Sequence, residues 1–287
     1  MTNQREQYTM GYGNAATSIM SMRTAERHAA FFVPYLHPGM TVLDCGCGPG
    51  TITLGFAQLV APGQVTGTEI EEAQVALARQ NAAKRQITNA QFEAADLYKL
   101  PYADNTFDAV FISAVLGNLR EPIRGVREAH RVLKPGGVLG IKEFDHGGDM
   151  LYPPDPLLGK YGELYIRLRK ENGHDPLSGR KVGELLFSAG FEELKFSAVY
   201  ESFTFPTLLT FAELSVELIK EGAGDIWAEA YLSRGWTTRE ELQQMAEAWK
   251  RFANTPGAIF AAAWCEGLGR KAHDRTDFPG TNVHSTK

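Results

Sequence analysis

The chain has 287 residues, enough for one large domain or a domain with a substantial insertion, with a sizeable core. Its formal net charge of −5 argues against a basic face that holds a nucleic acid. No apolar run approaches the roughly 20 residues that a membrane-spanning helix needs. The polar N-terminus lacks the apolar core of a signal peptide. We therefore expect a cytoplasmic protein with neither a membrane nor a nucleic acid as partner; the oligomeric state stays open.

Residues 1–37 are expected to form an N-terminal helix after a polar start. Apolar residues recur at spacings of three and four between Asn14 and Leu36, which is typical of an amphipathic helix. Pro34 is expected to disturb its end. A turn then leads into the first strand, at 41–44.

Residues 38–150 alternate β-type runs and helical segments. The predicted strands are 41–44, 64–69, 90–95, 107–113 and 138–144, and the predicted helices are 50–60, 71–85 and 121–133. This alternation is typical of a doubly wound α/β domain with a mostly parallel sheet. Ligands of such sheets bind outside the carboxyl ends of the strands.

The second half of the chain does not alternate in this way. Residues 151–204 are interpreted as the remainder of the core with a helical insertion, and 205–254 as two or three helices. A last strand, the seventh of the sheet, falls within 255–271. Residues 272–287 show no periodicity, so we expect a disordered tail.

The most informative stretch is VLDCGCGPG, at 42–50. A β-type run ends at Asp44, and Gly46, Gly48 and Gly50 follow at alternate positions. Glycines let the backbone turn sharply and let a ligand approach closely. The spacing differs from the dinucleotide fingerprint G-x-G-x-x-G, and an acid that enters the turn would repel a phosphate. The turn suits a nucleotide-like ligand with an amino group or hydroxyls.

Three cysteines, Cys45, Cys47 and Cys265, fit a reducing compartment rather than a disulfide framework. No second Cys/His pair of zinc spacing accompanies the first two. We therefore expect no metal site, and we interpret both as small side chains that fill the turn.

VLDCGCGPG resembles motif I of the class I S-adenosylmethionine-dependent methyltransferases. Glu69 stands where the acid after the second strand of that family belongs, and Asp96-Leu97 resembles its acid-plus-apolar pair after the third strand. LPYADNTFDAVFIS and REAHRVLKPGGVL resemble later runs of the family. The matches extend from Gly39 to Phe144 and are most similar to the small-molecule branch that includes ubiquinone and menaquinone biosynthesis enzymes.

The resemblance implies a Rossmann-like methyltransferase that uses S-adenosyl-L-methionine and releases S-adenosyl-L-homocysteine. Asp44 would help to hold the cofactor's amino group, Glu69 would accept from the ribose hydroxyls, and Asp96 would accept from the adenine amino group. Arg23 would pair with the methionine carboxylate, and Tyr12 would lie over the sulfonium or the substrate; a surface Arg and a packing Tyr are the alternatives. The other implied cofactor-binding residues are Gly46, Cys47, Gly48, Gly50, Ile70, Leu97, Ser113 and Ala114.

In this branch the N-terminal helix is a lid and an insertion before the last strand covers the substrate, so residues 205–254 are expected to form a helical substrate cover. Their bulky apolar side chains indicate a small, partly apolar or aromatic acceptor, methylated by in-line displacement in a closed cleft. A base is needed only if the nucleophile carries a proton near neutral pH. Glu143 and His146 are the candidate catalytic residues, and His28 is a second candidate base; a loop histidine without a role is the alternative for His146.

Two further hypotheses stay open. One is a nucleic-acid or protein methyltransferase, although no Asn/Asp-Pro-Pro-Tyr/Phe tetrapeptide and no basic tract with interleaved aromatics is present. The other is a scaffold or non-methylating enzyme that binds S-adenosylmethionine, which fold alone does not exclude. An arsenite methyltransferase would need reactive cysteines beyond the turn, and only Cys265 remains. The sequence does not decide between O-, N-, C- and S-methylation.

Overall fold

The computed structural model describes residues 8–9, 11–220 and 226–273. The helices in these ranges are α1 (Asn14–Ser21), α2 (Ala25–His28), α3 (Thr51–Val60), α4 (Glu72–Lys84), α5 (Pro122–Val132), α6 (Pro156–Glu171), α7 (Val182–Ser188), α8 (Thr207–Lys220), α9 (Ile226–Ser233) and α10 (Arg239–Ala253). The strands are β1 (Thr41–Cys45), β2 (Gln64–Glu69), β3 (Ala90–Ala94), β4 (Phe107–Ser113), β5 (Leu133–Phe144), β6 (Met150–Tyr152), β7 (Glu192–Phe203) and β8 (Ile259–Arg270).

One sheet contains all of these strands, in the order β3-β2-β1-β4-β5-β8-β6, with β7 paired to β8. Strands β1 to β5 pair in parallel, and β8 is antiparallel to β5, β6 and β7. The predicted doubly wound, mostly parallel sheet is therefore confirmed. Seven strands were expected and eight are described, because β6 adds a three-residue strand that is too short to show a sequence period.

The parallel strands are apolar because helices cover both faces of the sheet. In β4, five of the seven residues are buried, and in α3 eight of the ten are buried. Helix α3 lies beneath the N-terminal segment. A Cβ added at Gly55 would lie 2.5 Å from Cβ of Ala25, so the missing side chain lets α2 approach α3 closely.

The single N-terminal helix expected over 14–36 is wrong. It is broken into α1, α2 and a 3-10 helix at Val33–Tyr35. The backbone of Thr24 is extended, with φ −126° and ψ 158°, which ends α1 before α2 begins. Beyond α2, the Phe32 ring packs against Phe56 and Phe111, with centroids 5.7 and 5.2 Å away. Aromatic packing on the sheet therefore overrides the helical periodicity.

The helices between β7 and β8 build a second core, apart from the cores that cover the sheet. Buried side chains of α8, α9 and α10 pack there with those of α1 and α6. Helix α10 begins as its sequence predicts, since the Thr238 hydroxyl accepts from Glu241 N at 3.2 Å. The Glu241 carboxylate accepts instead from Thr237 and Lys160. An insertion with its own core thus precedes the last strand.

Most of the expected C-terminal tail, residues 274–287, lies outside the described residues. Among the residues that are described, no helix combines the length and apolarity needed to cross a membrane.

Candidate active site

Two adjoining cavities lie at the carboxyl ends of the parallel strands. The smaller cavity, about 270 Å³, is bordered by the segments that follow β1, β2, β3 and β4. The larger cavity, about 330 Å³, is bordered mainly by α6, α8, β7 and β8. Four residues line both cavities: Tyr8, Arg23, Ala114 and Asn118. The two cavities therefore share part of their wall.

The glycine turn forms part of the wall of the smaller cavity. Gly46 and Gly48 line it, with φ of 74° and 50°, in the left-handed region that favours glycine. The backbone N–H groups of Gly46 and Cys47 both donate to the Thr68 carbonyl, at 2.7 and 2.9 Å. A Cβ at Gly46 would collide with Val115. The hydrogen bonds hold the turn close to the end of β2, and Gly46 has no room for a side chain.

Gly50 does not lie on the cavity, although its spacing suggested a cofactor contact. It has φ 79°, and a Cβ there would lie 2.8 Å from the Phe92 ring. This glycine lets the start of α3 pack against β3 and α4.

Asp44 and Cys47 lie behind the turn, on a narrow cavity of about 30 Å³ that shares Arg23 and Gly48 with the smaller cavity. Asp44 is 3% exposed and accepts from the Thr53 hydroxyl at 2.6 Å. Burial raises the pKa of the Asp44 carboxyl to about 7, against the opposing effect of Thr53. Its protonation therefore changes near neutral pH.

Glu69, the last residue of β2, presents its carboxylate at the smaller cavity. The carboxylate accepts from the backbone N–H of Ile70 at 2.7 Å and of Gly48 at 3.2 Å. Burial raises the pKa of Glu69, and these backbone donors oppose the rise. Oε1 also accepts from Glu71 N at 3.3 Å, so Oε2, with one backbone donor, keeps a lone pair for a ligand hydroxyl. The side chain is therefore held in place before a ligand arrives.

The segments after β3 and β4 complete the same wall. Asp96 accepts from Tyr98 N at 2.9 Å, and Leu97 is buried beside it. Ser113 and Ala114 follow at the end of β4, and Ala114 adopts φ 56°. These four residues and Ile70, all predicted from the sequence as cofactor-binding positions, line the smaller cavity.

The N-terminal segment supplies a buried cation. Arg23 is 9% exposed and lines both large cavities; its guanidinium lies 5.3 Å from the Phe144 ring and 5.2 Å from the Trp264 ring. It forms no salt bridge with any described residue. Tyr12 lines the smaller cavity and packs on Tyr8, with ring centroids 5.0 Å apart. The surface position considered for Arg23 is thus wrong.

The larger cavity has mostly aromatic and aliphatic walls. Its aromatic lining residues are Tyr8, Phe144, Tyr161, Tyr165, Phe203, Phe211, Trp227, Trp249 and Phe260. Several contact each other, as Tyr165 and Trp227 do with centroids 4.5 Å apart. Aromatic faces of this kind suit a flat apolar molecule. The residues of this wall come from segments that are far apart in the chain.

His146 lines the larger cavity, in the loop after β5. Its Nδ1 lies 2.9 Å from Oδ2 of Asp149, and Oδ1 of Asp149 accepts from Ala263 N at 2.8 Å. The imidazole stacks on the Phe144 ring at 4.9 Å. A carboxylate accepts, so Nδ1 carries a proton, and in the neutral imidazole the lone pair is on Nε2, which has no hydrogen-bond partner among the described residues. The pair has the geometry of an oriented base.

Glu143 does not face the cleft as expected. It is fully buried within β5 and lines neither large cavity, and its Oε1 accepts from Phe144 N at 3.2 Å. Burial raises its pKa. His28 is also buried, 3.3 Å from Oε2 of Glu201, and lines neither cavity. Burial lowers the pKa of His28. Neither residue reaches a cavity wall.

The comparisons with known proteins agree with this geometry. A family model described as a methyltransferase domain matches residues 36–165. The chain is 30% identical over 286 residues to the probable methyltransferase ltbC of Aspergillus luteorubrus, covering 94% of this chain and 99% of that protein. The chain belongs to the S-adenosylmethionine-dependent methyltransferases.

This methyltransferase also resembles narrower groups of the family. It is 38% identical over 106 residues to the ubiquinone/menaquinone biosynthesis C-methyltransferase UbiE of Bdellovibrio bacteriovorus, covering 37% of this chain and only 45% of UbiE. A solved phosphoethanolamine N-methyltransferase 2 of Haemonchus contortus, in complex with phosphomonomethylethanolamine and S-adenosylhomocysteine, shares the fold with a TM-score of 0.55 and 17% identity. That match covers 86% of this methyltransferase and 53% of the other chain.

Tyr8 and Arg169 line the larger cavity of the methyltransferase but were not singled out in the sequence. Asn118 lies just after β4, where position alone marks it as a candidate. Tyr8 and Arg169 come from an N-terminal segment and a helix that carry no motif. Only the folded chain brings them to the cavity.

Proposed function

We propose that this methyltransferase transfers a methyl group to a small, partly apolar or aromatic metabolite by in-line displacement in a closed cleft. One observation carries the proposal: an aromatic-lined cavity of about 330 Å³ adjoins the cavity of the glycine turn through shared lining residues. That volume and lining suit a small ring-bearing molecule better than a polymer. The UbiE relative, by its name, methylates carbon in quinone biosynthesis, which fits such an acceptor.

In this proposal the smaller cavity holds the cofactor. The ends of β2 and β3 offer Glu69 for the ribose hydroxyls and Asp96 for the adenine amino group. Arg23, buried without a carboxylate partner in the described part of the chain, would pair with the methionine carboxylate. Asp44 would act on the cofactor indirectly, by ordering the glycine turn. The bound cofactor supplies a methyl group on a positively charged sulfur, and the bond to sulfur breaks as the bond to the acceptor forms.

The segments around the cleft would exclude water. The N-terminal segment is tied to the helical insertion through Thr9, whose carbonyl accepts from Trp227 Nε1 at 2.7 Å and whose hydroxyl lies 2.6 Å from His174 Nδ1. We therefore propose residues 1–37 as a lid and residues 205–254 as the substrate cover. A dry site keeps the nucleophile unsolvated and correctly placed.

His146 would act as the base where the acceptor carries a proton. Asp149 fixes its orientation and stabilises the imidazolium that forms after the proton arrives at Nε2. Glu143 has no such role in this proposal, because it touches neither cavity.

The experiment is an untargeted screen of metabolite extracts with an isotopically labelled methyl donor. We expect label in one small molecule or one class of small molecules, with an equal amount of S-adenosylhomocysteine. Label confined to RNA, DNA or protein would overturn the proposal. Cofactor binding with no labelled product in any extract would favour the non-methylating alternative.

A further inference from the structure

The larger cavity holds a second buried cation, Arg169 of α6, which is 3% exposed. One terminal nitrogen donates to the Tyr165 hydroxyl at 3.1 Å, and the other donates to the Gly117 carbonyl at 2.9 Å. Its Nε has no hydrogen-bond partner, and the guanidinium no salt bridge, among the described residues. Burial of a guanidinium is costly unless an anion compensates for its charge.

The acidic groups of the same cavity do not supply that anion. Asp149 is engaged with the imidazole beside it, and Glu201 lies 3.3 Å from a buried histidine. Glu163 is exposed to solvent. None of the three forms a salt bridge with Arg169.

Glu143 acts on Arg169 only through space. Each lowers the energy of the other's charged form, but no salt bridge joins them. Glu143 is fully buried and does not line the cavity, whereas Arg169 does. An anion that enters the cavity can therefore reach the guanidinium without displacing a carboxylate.

Arg169 lies close to the proposed base and to the cofactor cavity. The Tyr165 ring packs edge-on against His146, with centroids 5.3 Å apart, while its hydroxyl accepts from Arg169. Gly117, the second partner of Arg169, precedes Asn118, which borders both cavities. His146, Arg169 and Asn118 therefore lie in the same part of the wall of the larger cavity.

We propose that Arg169 is the binding site for an oxyanion of the acceptor, which makes the acceptor a phenol or an enol. This inference rests on the proposed function. The hydroxyl proton passes to Nε2 of His146, and the guanidinium holds the oxygen that remains charged. The charge on oxygen makes either that oxygen or a conjugated ring carbon the nucleophile. The aromatic walls hold the ring itself.

The test uses 7-hydroxycoumarin, whose phenol and phenolate differ in absorption and fluorescence, with the protein saturated with S-adenosylhomocysteine. Its ionisation is followed as the pH is raised, bound and free. We expect binding to lower the probe's pKa by about one unit or more, as a cation within contact distance does. Coumarin, which lacks the hydroxyl, serves as the matched neutral probe.

Three variants sharpen the result. R169Q should remove the shift but leave coumarin binding and S-adenosylhomocysteine binding unchanged. R169K should show a smaller shift, because an ammonium lacks the planar fork. R167Q is the control, since Arg167 lies on the same helix but is exposed, 3.8 Å from the Trp236 ring; it should keep the full shift.

A full shift in R169Q would overturn the inference, as would failure of wild type to bind 7-hydroxycoumarin. If R169Q does not fold, R169K decides, and a shift equal to that of wild type contradicts the proposal. The titration requires no methyl transfer. Its failure therefore leaves the labelled-donor result standing, and failure of the labelled-donor screen does not alter the titration.

Discussion

The two cavities differ in how they are built. The smaller one is framed by the ends of β1 to β4, and backbone N–H groups fix its carboxylate Glu69. The larger one is framed by side chains of α6, α8, β7 and β8 and of neighbouring segments, nine of them aromatic. Backbone groups fix the wall of the smaller cavity, whereas packed side chains form the wall of the larger cavity. In the proposed function the smaller cavity holds the cofactor and the larger one selects the acceptor, so changes in one should leave the other intact.

The largest effect is expected in the larger cavity. His146→Asn should lower kcat by about 10²–10⁴-fold for a hydroxyl acceptor, since a positioned base contributes that much. S-adenosylhomocysteine affinity should stay unchanged. The measurements are kcat as a function of pH and, by calorimetry, the affinity for S-adenosylhomocysteine.

His37→Asn is the matched control, because His37 is exposed and lines neither large cavity. It should leave both quantities at their wild-type values. An equal loss of cofactor affinity in His146→Asn would show that the two cavities are not separable.

In the smaller cavity, Glu69→Gln should weaken S-adenosylhomocysteine binding. Loss of a charged hydrogen-bond acceptor costs about 1.5–3 kcal/mol, or roughly 10- to 150-fold in Kd. Glu72→Gln, an exposed change in the first turn of α4, is the control and should leave Kd unchanged. Isothermal calorimetry measures both. Equal affinities for the two variants would remove Glu69 from the proposed cofactor site.

Asp44, which lies behind the glycine turn of the smaller cavity, makes stability depend on pH. Its pKa of about 7 lies above the ordinary value, so between about pH 4 and pH 7 the folded chain holds a proton that the unfolded chain has released. This group therefore lowers stability as pH rises, by at most about 1.4 kcal/mol per pH unit. Asp44→Asn should remove this part of the slope.

Urea unfolding at several pH values measures that slope. The difference in unfolding free energy, wild type minus Asp44→Asn, should fall as pH rises from about 4 to 7. A difference that rises with pH would mean that Asp44 is stabilised as a carboxylate.

The smallest effect concerns the contact between the proposed lid and the proposed substrate cover. Trp227→Phe keeps the ring in the cavity wall but removes the hydrogen bond to the Thr9 carbonyl. About 0.5–1.5 kcal/mol is lost when such a bond is removed. Hydrogen exchange at residues 11–20 should quicken, with little change in Tm. Unchanged exchange would show that this bond does not hold the segment.

The sequence predicted the two cavities to different extents because the cavities are built from different kinds of element. The core was predicted to within a residue or two at β1 to β4, because alternation and glycine turns are local signals. Glu69, Asp96 and Ala114 were predicted as cofactor-binding positions because they lie at or just after strand ends, and all three line the smaller cavity. Gly50 and Glu143 were misplaced, since spacing does not say whether a residue faces a ligand or packs inside.

The larger cavity was predicted only as an aromatic-rich region. Its wall joins Tyr8, Arg169 and Trp249, which are distant in the chain and follow no motif. The break in the N-terminal helix at Thr24 was missed because packing of Phe32 on the sheet, a long-range contact, outweighs a local period. Local patterns do not report contacts of that kind.

The most direct test of the two-cavity account fills the larger cavity. Gly162 of α6 lines it, and a Cβ added there meets no atom within 4 Å. Gly162→Phe should abolish transfer of labelled methyl to the small-molecule acceptor, while calorimetry gives the wild-type affinity for S-adenosylhomocysteine. Full transfer by a folded Gly162→Phe variant would contradict the account, because the acceptor would then bind somewhere else.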